Sequence, residues 1–98
     1  MTILIVDDSL TVRQDLSEIL QAADLPAVTC ASLAEARRHL AQQAFALVIL
    51  DMLLPDGDGI ELLREIRATP SICDIAVMLL STEAEIRDRL RGLTTGAD

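Results

Sequence analysis

Residues Leu47–Gly59, LVILDMLLPDGDG, place a carboxylate directly after a run of aliphatic residues. The apolar run Ala46–Leu50 is continuous, which is typical of a strand buried on both faces of a parallel sheet. Asp51 ends this run, and Gly57 and Gly59 then interrupt the chain with a loop. The pattern predicts that Asp51 stands where a core strand leaves the core, at the edge of the sheet.

Outward from this stretch, apolar strands and amphipathic helices alternate along the chain. The sequence predicts strands at Thr2–Val6, Ala27–Cys30, Ala46–Leu50 and Ile75–Leu80. It predicts helices at Leu10–Ala23, from Leu33 to Leu40 behind a capping box at Ser32–Glu35, at Ile60–Arg67, and at Glu83–Leu90. This alternation indicates an α/β fold with a doubly wound parallel sheet, in which ligands bind at the carboxyl ends of the strands.

Helical periodicity also predicts which side chains face the core. The expected inward positions are Val12, Leu16, Ile19, Leu20 and Ala23 in the first helix, Leu33, Ala36 and Leu40 in the second, and Leu62, Leu63 and Ile66 in the third. We expect Asp56 and Asp58 to serve as turn and N-cap residues of the third helix.

Composition narrows the class of protein. The chain has 98 residues, enough for one domain, and is 51% hydrophobic with Phe45 as its only aromatic residue, which predicts an aliphatic core. The net charge of −8 disfavours direct binding to nucleic acid. The longest apolar run, Ala44–Leu50, is far shorter than the ~20 residues of a membrane-spanning helix. Cys30 and Cys73 form no CxxC motif, which favours buried, reduced thiols in a cytoplasmic protein.

Acidic and hydroxyl residues follow several of the predicted strands. Asp7 and Asp8 follow the first strand and Asp51 the third, while the fourth is followed by Ser81 and Thr82. The carboxyl ends of parallel strands meet at one edge of a sheet, so we expect these side chains to converge. Three carboxylates held together repel one another unless a cation intervenes, and Mg²⁺ prefers such oxygen ligands.

Four segments together resemble the receiver domain of two-component response regulators. They are ILIVDDS at Ile3–Ser9, LVILDMLLPDGDGIELL at Leu47–Leu63, IAVMLLST at Ile75–Thr82 and RGLTTGAD at Arg91–Asp98. The resemblance covers the whole chain. It implies a single receiver domain at 1–98 with a flavodoxin-like fold and the strand order 2-1-3-4.

The resemblance also implies a role for each site residue. Asp51 would be the phosphoacceptor, taking a phosphoryl group from a phosphohistidine of a sensor histidine kinase or phosphotransfer protein. Asp8, Asp51 and the backbone carbonyl of Leu53 would bind Mg²⁺ directly, and Asp7 would act mostly through water. Ser81 would hydrogen-bond the phosphoryl group and change conformation with it. Such a domain is a regulatory phosphoacceptor rather than an enzyme in its own right.

The sequence departs from the family pattern in its last part. Receivers carry a lysine at the end of a fifth strand, whereas all 8 basic residues here are arginine and the chain stops at Asp98. We therefore expect the N-terminal piece of a longer native chain, comprising four β-α units without the fifth strand and helix. We also expect weak phosphorylation of this form. An unpaired strand at Ile75–Leu80 is expected to promote homodimers or segment exchange.

Other functions fit the residues less well. An EF-hand reading of the PDGDGIE segment places Leu54 at the first ligand position, and a strand precedes the loop where a helix is required. A haloacid-dehalogenase-like phosphatase requires a second aspartate where Leu53 stands. No GxGxxG motif follows any strand, which excludes the usual dinucleotide site. A receiver-like interaction module that works without phosphorylation remains an alternative, because the lysine is absent.

Overall fold

The structure is a computed structural model that describes residues 1–80. Ser81, Thr82 and the predicted helix Glu83–Leu90 lie outside the described residues. The described elements are β1 (Ile3–Val6), α1 (Leu10–Ala22), β2 (Ala27–Cys30), α2 (Leu33–Gln42), β3 (Leu47–Asp51), β4 (Leu53–Leu54), β5 (Gly57–Asp58), α3 (Gly59–Ala68) and β6 (Ala76–Leu80).

The four long strands form one parallel sheet in the order β2-β1-β3-β6. Because β6 is the fourth long strand, this order confirms the predicted 2-1-3-4 arrangement and the α/β class. The two-residue strands β4 and β5 pair with each other in an antiparallel hairpin, at a place where the sequence predicted only a loop. In the described part of the sheet, β6 is the last strand. Pairing of a second chain with this strand remains a prediction.

Strand register brings the ends of β1 and β3 side by side. Val6 in β1 pairs with Leu50 in β3, and Asp51 in β3 pairs with Leu80 in β6. Asp7 and Asp51, the residues that follow Val6 and Leu50, therefore emerge at the same edge of the sheet. This edge is where the doubly wound architecture places ligands.

Alternation along the strands divides the core between the two faces of the sheet. Leu4, Val6, Val48 and Leu50 belong to the larger cluster, which α2 and α3 cover. Ile3, Ile5 and Ile49 belong to the smaller cluster, against which Leu16 and Leu20 of α1 pack. The inward positions predicted for α2 and α3 are confirmed: Leu33, Ala36, Leu62, Leu63 and Ile66 are buried, and Leu40 is partly buried against the larger cluster.

Four residues that the sequence placed in the core are not buried there. Ala23 is exposed, because α1 ends at Ala22 and Ala23 is only its C-cap. Ile19 is 63% exposed, because it lies on the flank of the apolar stripe of α1 while Leu16 and Leu20 occupy its centre. Met78 is 46% exposed although it belongs to an apolar strand, because β6 is the last strand of the described sheet. Cys73 is only partly buried, since it lies in the connection between α3 and β6, whereas Cys30 is buried at the end of β2.

The N-caps predicted at Ser32 and Asp58 are confirmed, and a third N-cap, Ser9, was not predicted. Ser9 caps α1, Ser32 caps α2 and Asp58 caps α3, each accepting a bond from a backbone N–H of the first turn. Glu35 reaches back as a capping box predicts, but it accepts from the N–H of Ala31 at 2.7 Å rather than from that of Ser32. No helix within residues 1–80 has the length and apolar character needed to cross a membrane.

Gly59 lets α3 begin against the end of β3. Its N–H donates to the carbonyl of Met52 at 2.8 Å, and a Cβ at this position would lie 2.2 Å from the carbonyl oxygen of Asp51. That distance is impossible for two non-bonded atoms, and the oxygen belongs to a backbone held in the sheet. Only glycine allows this approach between α3 and Asp51.

We expect Gly59→Ala to lower the free energy of unfolding by about 3 kcal/mol, at the upper end of the usual cost of overpacking. As a reference, Ala22→Gly, at an exposed position in the last turn of α1, should lower the free energy of unfolding by about 1 kcal/mol. Denaturant titration followed by circular dichroism measures both values. A Gly59→Ala cost no larger than that of Ala22→Gly would show that the backbone at Asp51 yields without resistance.

Candidate functional site

Three carboxylates meet at the carboxyl edge of the sheet. Asp7 and Asp8 follow β1 and Asp51 ends β3, and their carboxylate oxygens come within 4.8 Å of one another. Their environments differ, because Asp7 is buried, Asp8 is exposed and Asp51 lies between these extremes. The convergence expected from the sequence is thus present for the three aspartates. Ser81, the fourth predicted member, lies outside the described residues.

Asp7 is held at three points. Its N–H donates to the carbonyl of Cys30 at 3.1 Å, continuing the pairing of β1 with β2. Its carboxylate Oδ1 accepts from the N–H of Ser9 at 2.8 Å. Its carbonyl oxygen accepts from Nη1 of Arg13, one turn into α1, at 2.7 Å. These bonds fix the turn from β1 into α1, and with it the position of the acidic pair. The contribution of Arg13 was not predicted from the sequence.

Burial and like charge act together on Asp51. Desolvation is the largest cause that raises the pKa of its carboxyl group, and the charges of Asp7 and Asp8 raise it further. Bonds from the N–H groups of Leu53 and Met52 oppose this rise, although the Leu53 bond is long at 3.4 Å. Among residues 1–80, backbone N–H groups therefore offset only part of the unfavourable environment of ionised Asp51. A bound cation would relieve that repulsion.

The chain after Asp51 forms a tight loop with one buried and one exposed side chain. Met52 is fully buried in the larger core cluster, and its N–H donates to the carbonyl of Leu80 at 3.4 Å. Leu53 is 52% exposed, at the start of the hairpin. The burial of Met52 directs the chain back to the core immediately after Asp51, and it leaves Leu53 at the surface beside the acidic cluster.

Asp56 binds the start of α2, a helix to which the sequence did not connect it. Its Oδ1 accepts from the N–H of Leu33 at 2.9 Å and its Oδ2 from the N–H of Ala34 at 3.0 Å, both in the first turn of α2. These two bonds hold the pKa of the Asp56 carboxyl group below its usual value. The sequence predicted turn and N-cap roles for Asp56 and Asp58, and Asp58 caps α3 as expected, but the bonds from Asp56 to α2 were not predicted. A contact with a residue 23 positions earlier in the chain leaves no local signal.

The three carboxylates suit a hard divalent cation. Mg²⁺ takes oxygen ligands in octahedral geometry and keeps several waters, so a few carboxylates at an open edge meet its needs. The exposed side of Asp8 leaves room for those waters. Asp8, Asp51 and Leu53 are the residues that would hold the ion, with Asp7 beside them.

Comparison with known proteins gives the family context of this site. The family profile described as "Response regulator receiver domain" matches residues 3–98. The chain is 34% identical over 97 residues to the transcriptional regulatory protein GltR of Pseudomonas aeruginosa, covering 99% of this chain and 40% of GltR. It is 32% identical over 96 residues to the phosphate regulon transcriptional regulatory protein PhoB of Escherichia coli, covering 98% of this chain and 42% of PhoB.

A solved structure agrees with these sequence matches. The signal receiver domain of a signal transduction histidine kinase from Syntrophus aciditrophicus superposes with a TM-score of 0.89 at 36% identity, covering 99% of this chain and 74% of that one. The chain thus spans about two fifths of the length of the curated relatives and about three quarters of this receiver structure.

The raised pKa of Asp51 predicts a pH-dependent effect of neutralising it. In metal-free buffer with EDTA, Asp51→Asn should stabilise the protein at neutral pH, because the ionised carboxylate is unfavourable in the folded state. The advantage should shrink as pH falls through the raised pKa toward the ordinary value of 3.8, since wild-type Asp51 then takes up a proton. Thermal unfolding from pH 7 to pH 3 measures the difference.

Asp15→Asn is the matched control for this pH series. Asp15 is exposed on α1 and lies outside the acidic cluster, so its substitution removes the same charge without relieving the repulsion. A stabilisation by Asp51→Asn that stays constant with pH, or that Asp15→Asn reproduces, would contradict the electrostatic reading of the site.

Proposed function

The chain belongs to the response regulator receiver domain family, and we propose on this basis that Asp51 accepts a phosphoryl group from a phosphohistidine of a partner kinase or phosphotransfer protein. The observation that carries the proposal is the meeting of Asp7, Asp8 and Asp51 within 4.8 Å at the carboxyl edge of the sheet. Receiver domains are regulatory domains of two-component signalling. Transfer from an intracellular kinase domain would take place in the cytoplasm.

The transfer forms one bond to phosphorus and breaks another. A carboxylate oxygen of Asp51 attacks the phosphorus atom, forming the P–O bond of an acyl phosphate. The P–N bond of the donor breaks, and its electron pair returns to the imidazole ring, which a proton can then neutralise. Phosphoryl transfer needs positioning and charge neutralisation more than covalent help from the protein. When bound, Mg²⁺ supplies the positive charge that lets the two anionic groups approach.

The residues around Asp51 prepare it for this attack. Met52 is buried and fixes the backbone on one side, while the close approach of Gly59 fixes the carbonyl of Asp51 itself. The bonds that Asp7 accepts from Ser9 and Arg13 fix the turn that carries the acidic pair beside Asp51, although the side chain of Asp8 is exposed. A backbone held in this way would present the carboxylate to a donor with little reorganisation, which supports the proposed transfer.

A conformational response would begin at the end of β6. Asp51 pairs with Leu80, so the chain that leads into Ser81 starts beside the phosphoacceptor. A hydroxyl at position 81 that moved toward a new phosphoryl group would pull on this chain and rearrange the segment after β6. This is the usual way in which a local change of charge alters a distant surface.

A receiver-like interaction module that works without phosphorylation is the second candidate function. All 8 basic residues are arginine, so the lysine with which receivers contact the phosphoryl group is absent from these 98 residues. The two functions differ in one measurable property, which is covalent uptake of phosphate by Asp51.

A small phosphodonor such as acetyl phosphate, with Mg²⁺, should phosphorylate Asp51 in any longer protein that carries this chain, and only weakly in the 98-residue form. Mass spectrometry of the intact protein and of its peptides measures the added phosphate and its position. Asp51→Asn should abolish the label, whereas Asp15→Asn should leave it unchanged. A label that survives Asp51→Asn would exclude Asp51 as the acceptor, and no label in the longer protein would favour the interaction module.

Mg²⁺ should bind weakly to the 98-residue chain, since the acidic cluster lies within the described fold. In an NMR titration, the amide signals of Asp8, Asp51 and Leu53 should shift together. Asp8→Ala should weaken binding by at least about tenfold, because even partners of metal ligands contribute roughly 10- to 100-fold to affinity. Asp15→Asn controls for the loss of one charge. An unchanged affinity of Asp8→Ala would place the ion elsewhere.

A further inference from the structure

Asp56 connects the loop that follows Asp51 to the start of a different helix. Its two carboxylate oxygens accept from the N–H groups of Leu33 and Ala34 at 2.9 and 3.0 Å. Ser32 supplies the third bond of this helix start, accepting from the N–H of Glu35 at 3.2 Å. The first three N–H groups of α2 are thus satisfied, two of them by a residue from the phosphoacceptor loop.

The two bonds that Asp56 accepts from the first turn of α2, called the clasp below, hold the hairpin β4–β5 as a whole. Leu54 pairs with Gly57, so Pro55 and Asp56 form a two-residue turn at its tip. Leu53 pairs with Asp58 at the other end, next to Asp51. A hairpin this short has little freedom between its tip and its base, so fixing Asp56 also restricts Leu53.

Gly57 allows the same hairpin to pack closely against α2. Its φ of +154° is one that residues with a side chain rarely adopt, and an added Cβ would lie 2.7 Å from Cδ1 of Leu33. The backbone of the hairpin therefore packs closely on the residue whose N–H binds Asp56. Hydrogen bonding and packing hold the loop at the same point of α2.

We propose that Asp56 is a positioning residue of the cation site, which sets the place of Leu53 relative to Asp51 by binding the first turn of α2. The inference rests on the proposed function, because the cation is the one that Asp8, Asp51 and Leu53 would hold. Binding of the cation and closure of the clasp then favour each other. By linkage, the factor by which the clasp improves cation affinity equals the factor by which the cation stabilises the clasp.

A purely structural cap would behave differently. If Asp56 served only to stabilise α2, any change that weakened the start of α2 equally would have the same effect on the site. Ser32→Ala provides that comparison, because it removes a cap of the same helix start while leaving both bonds of Asp56 in place. Glu61→Gln provides the electrostatic comparison, since Glu61 is an exposed acid whose carboxylate lies close to Gly57 in the same region.

The experiment titrates the 98-residue chain with Mg²⁺ alone and follows the amide signals by NMR. We expect Asp56→Ala to weaken Mg²⁺ binding by about fivefold or more, the lower range of typical coupling between sites, and Asp56→Asn, which keeps one acceptor oxygen, to show a smaller loss. Ser32→Ala and Glu61→Gln should remain within about twofold of the wild type, below that range.

Hydrogen exchange supplies a second readout, measured first in the wild type. Saturating Mg²⁺ should slow the exchange of the Leu33 and Ala34 amides by a factor similar to the affinity loss in Asp56→Ala, and this response should disappear in that variant. Unchanged affinity in Asp56→Ala, or unchanged exchange at Leu33 and Ala34, would overturn the role of Asp56 alone. No saturable Mg²⁺ binding by the wild type would overturn the metal site and this inference together.

Discussion

The parallel pairing of β1 with β3 is the constraint on which the site depends. Because Val6 lies opposite Leu50, the next residues of both strands are carboxylates that emerge together. A shift of one residue in this register would turn every side chain of the strand to the opposite face, exchanging the two core clusters. The apolar alternation that builds the cores therefore also fixes where Asp7 and Asp51 meet. The pairing of β1 with β3 therefore brings the acidic cluster together as the sheet forms.

The sequence was sufficient to predict the sheet and the acidic cluster, because each of these has a local signal. Continuous aliphatic runs marked the central strands, and acids directly after them marked the edge at which a site forms. The N-caps Ser32 and Asp58 were visible for the same reason, since a cap lies next to the helix that it serves. The family resemblance added the strand order, which local patterns alone do not determine.

Features that depend on contacts between distant segments were not predictable in this way. The bonds of Asp56 to α2 join residues 23 and 22 positions apart, and an aspartate at position 56 is ordinary in a turn. The bond from Arg13 to the carbonyl of Asp7 spans only six residues, but no sequence pattern marks an arginine that binds a backbone carbonyl. The exposure of Ile19 and Met78 has the same origin, because a periodic pattern shows which residues are apolar but not how far the neighbouring layer extends over them.

Repulsion among the three carboxylates lowers the stability of the fold, and contacts of the loop after β3 oppose its effect. Burial and the charges of Asp7 and Asp8 raise the pKa of the Asp51 carboxyl group. When Asp51 is ionised, repulsion therefore favours movement of the loop after β3 away from Asp7 and Asp8. That movement is resisted at two places, where Gly59 packs on the Asp51 carbonyl and where Asp56 binds α2. A cation removes the repulsion without needing the loop to move. The loop after β3 is therefore held at both of these contacts, and a cation that relieved the repulsion would also favour the bonds of Asp56 to the first turn of α2.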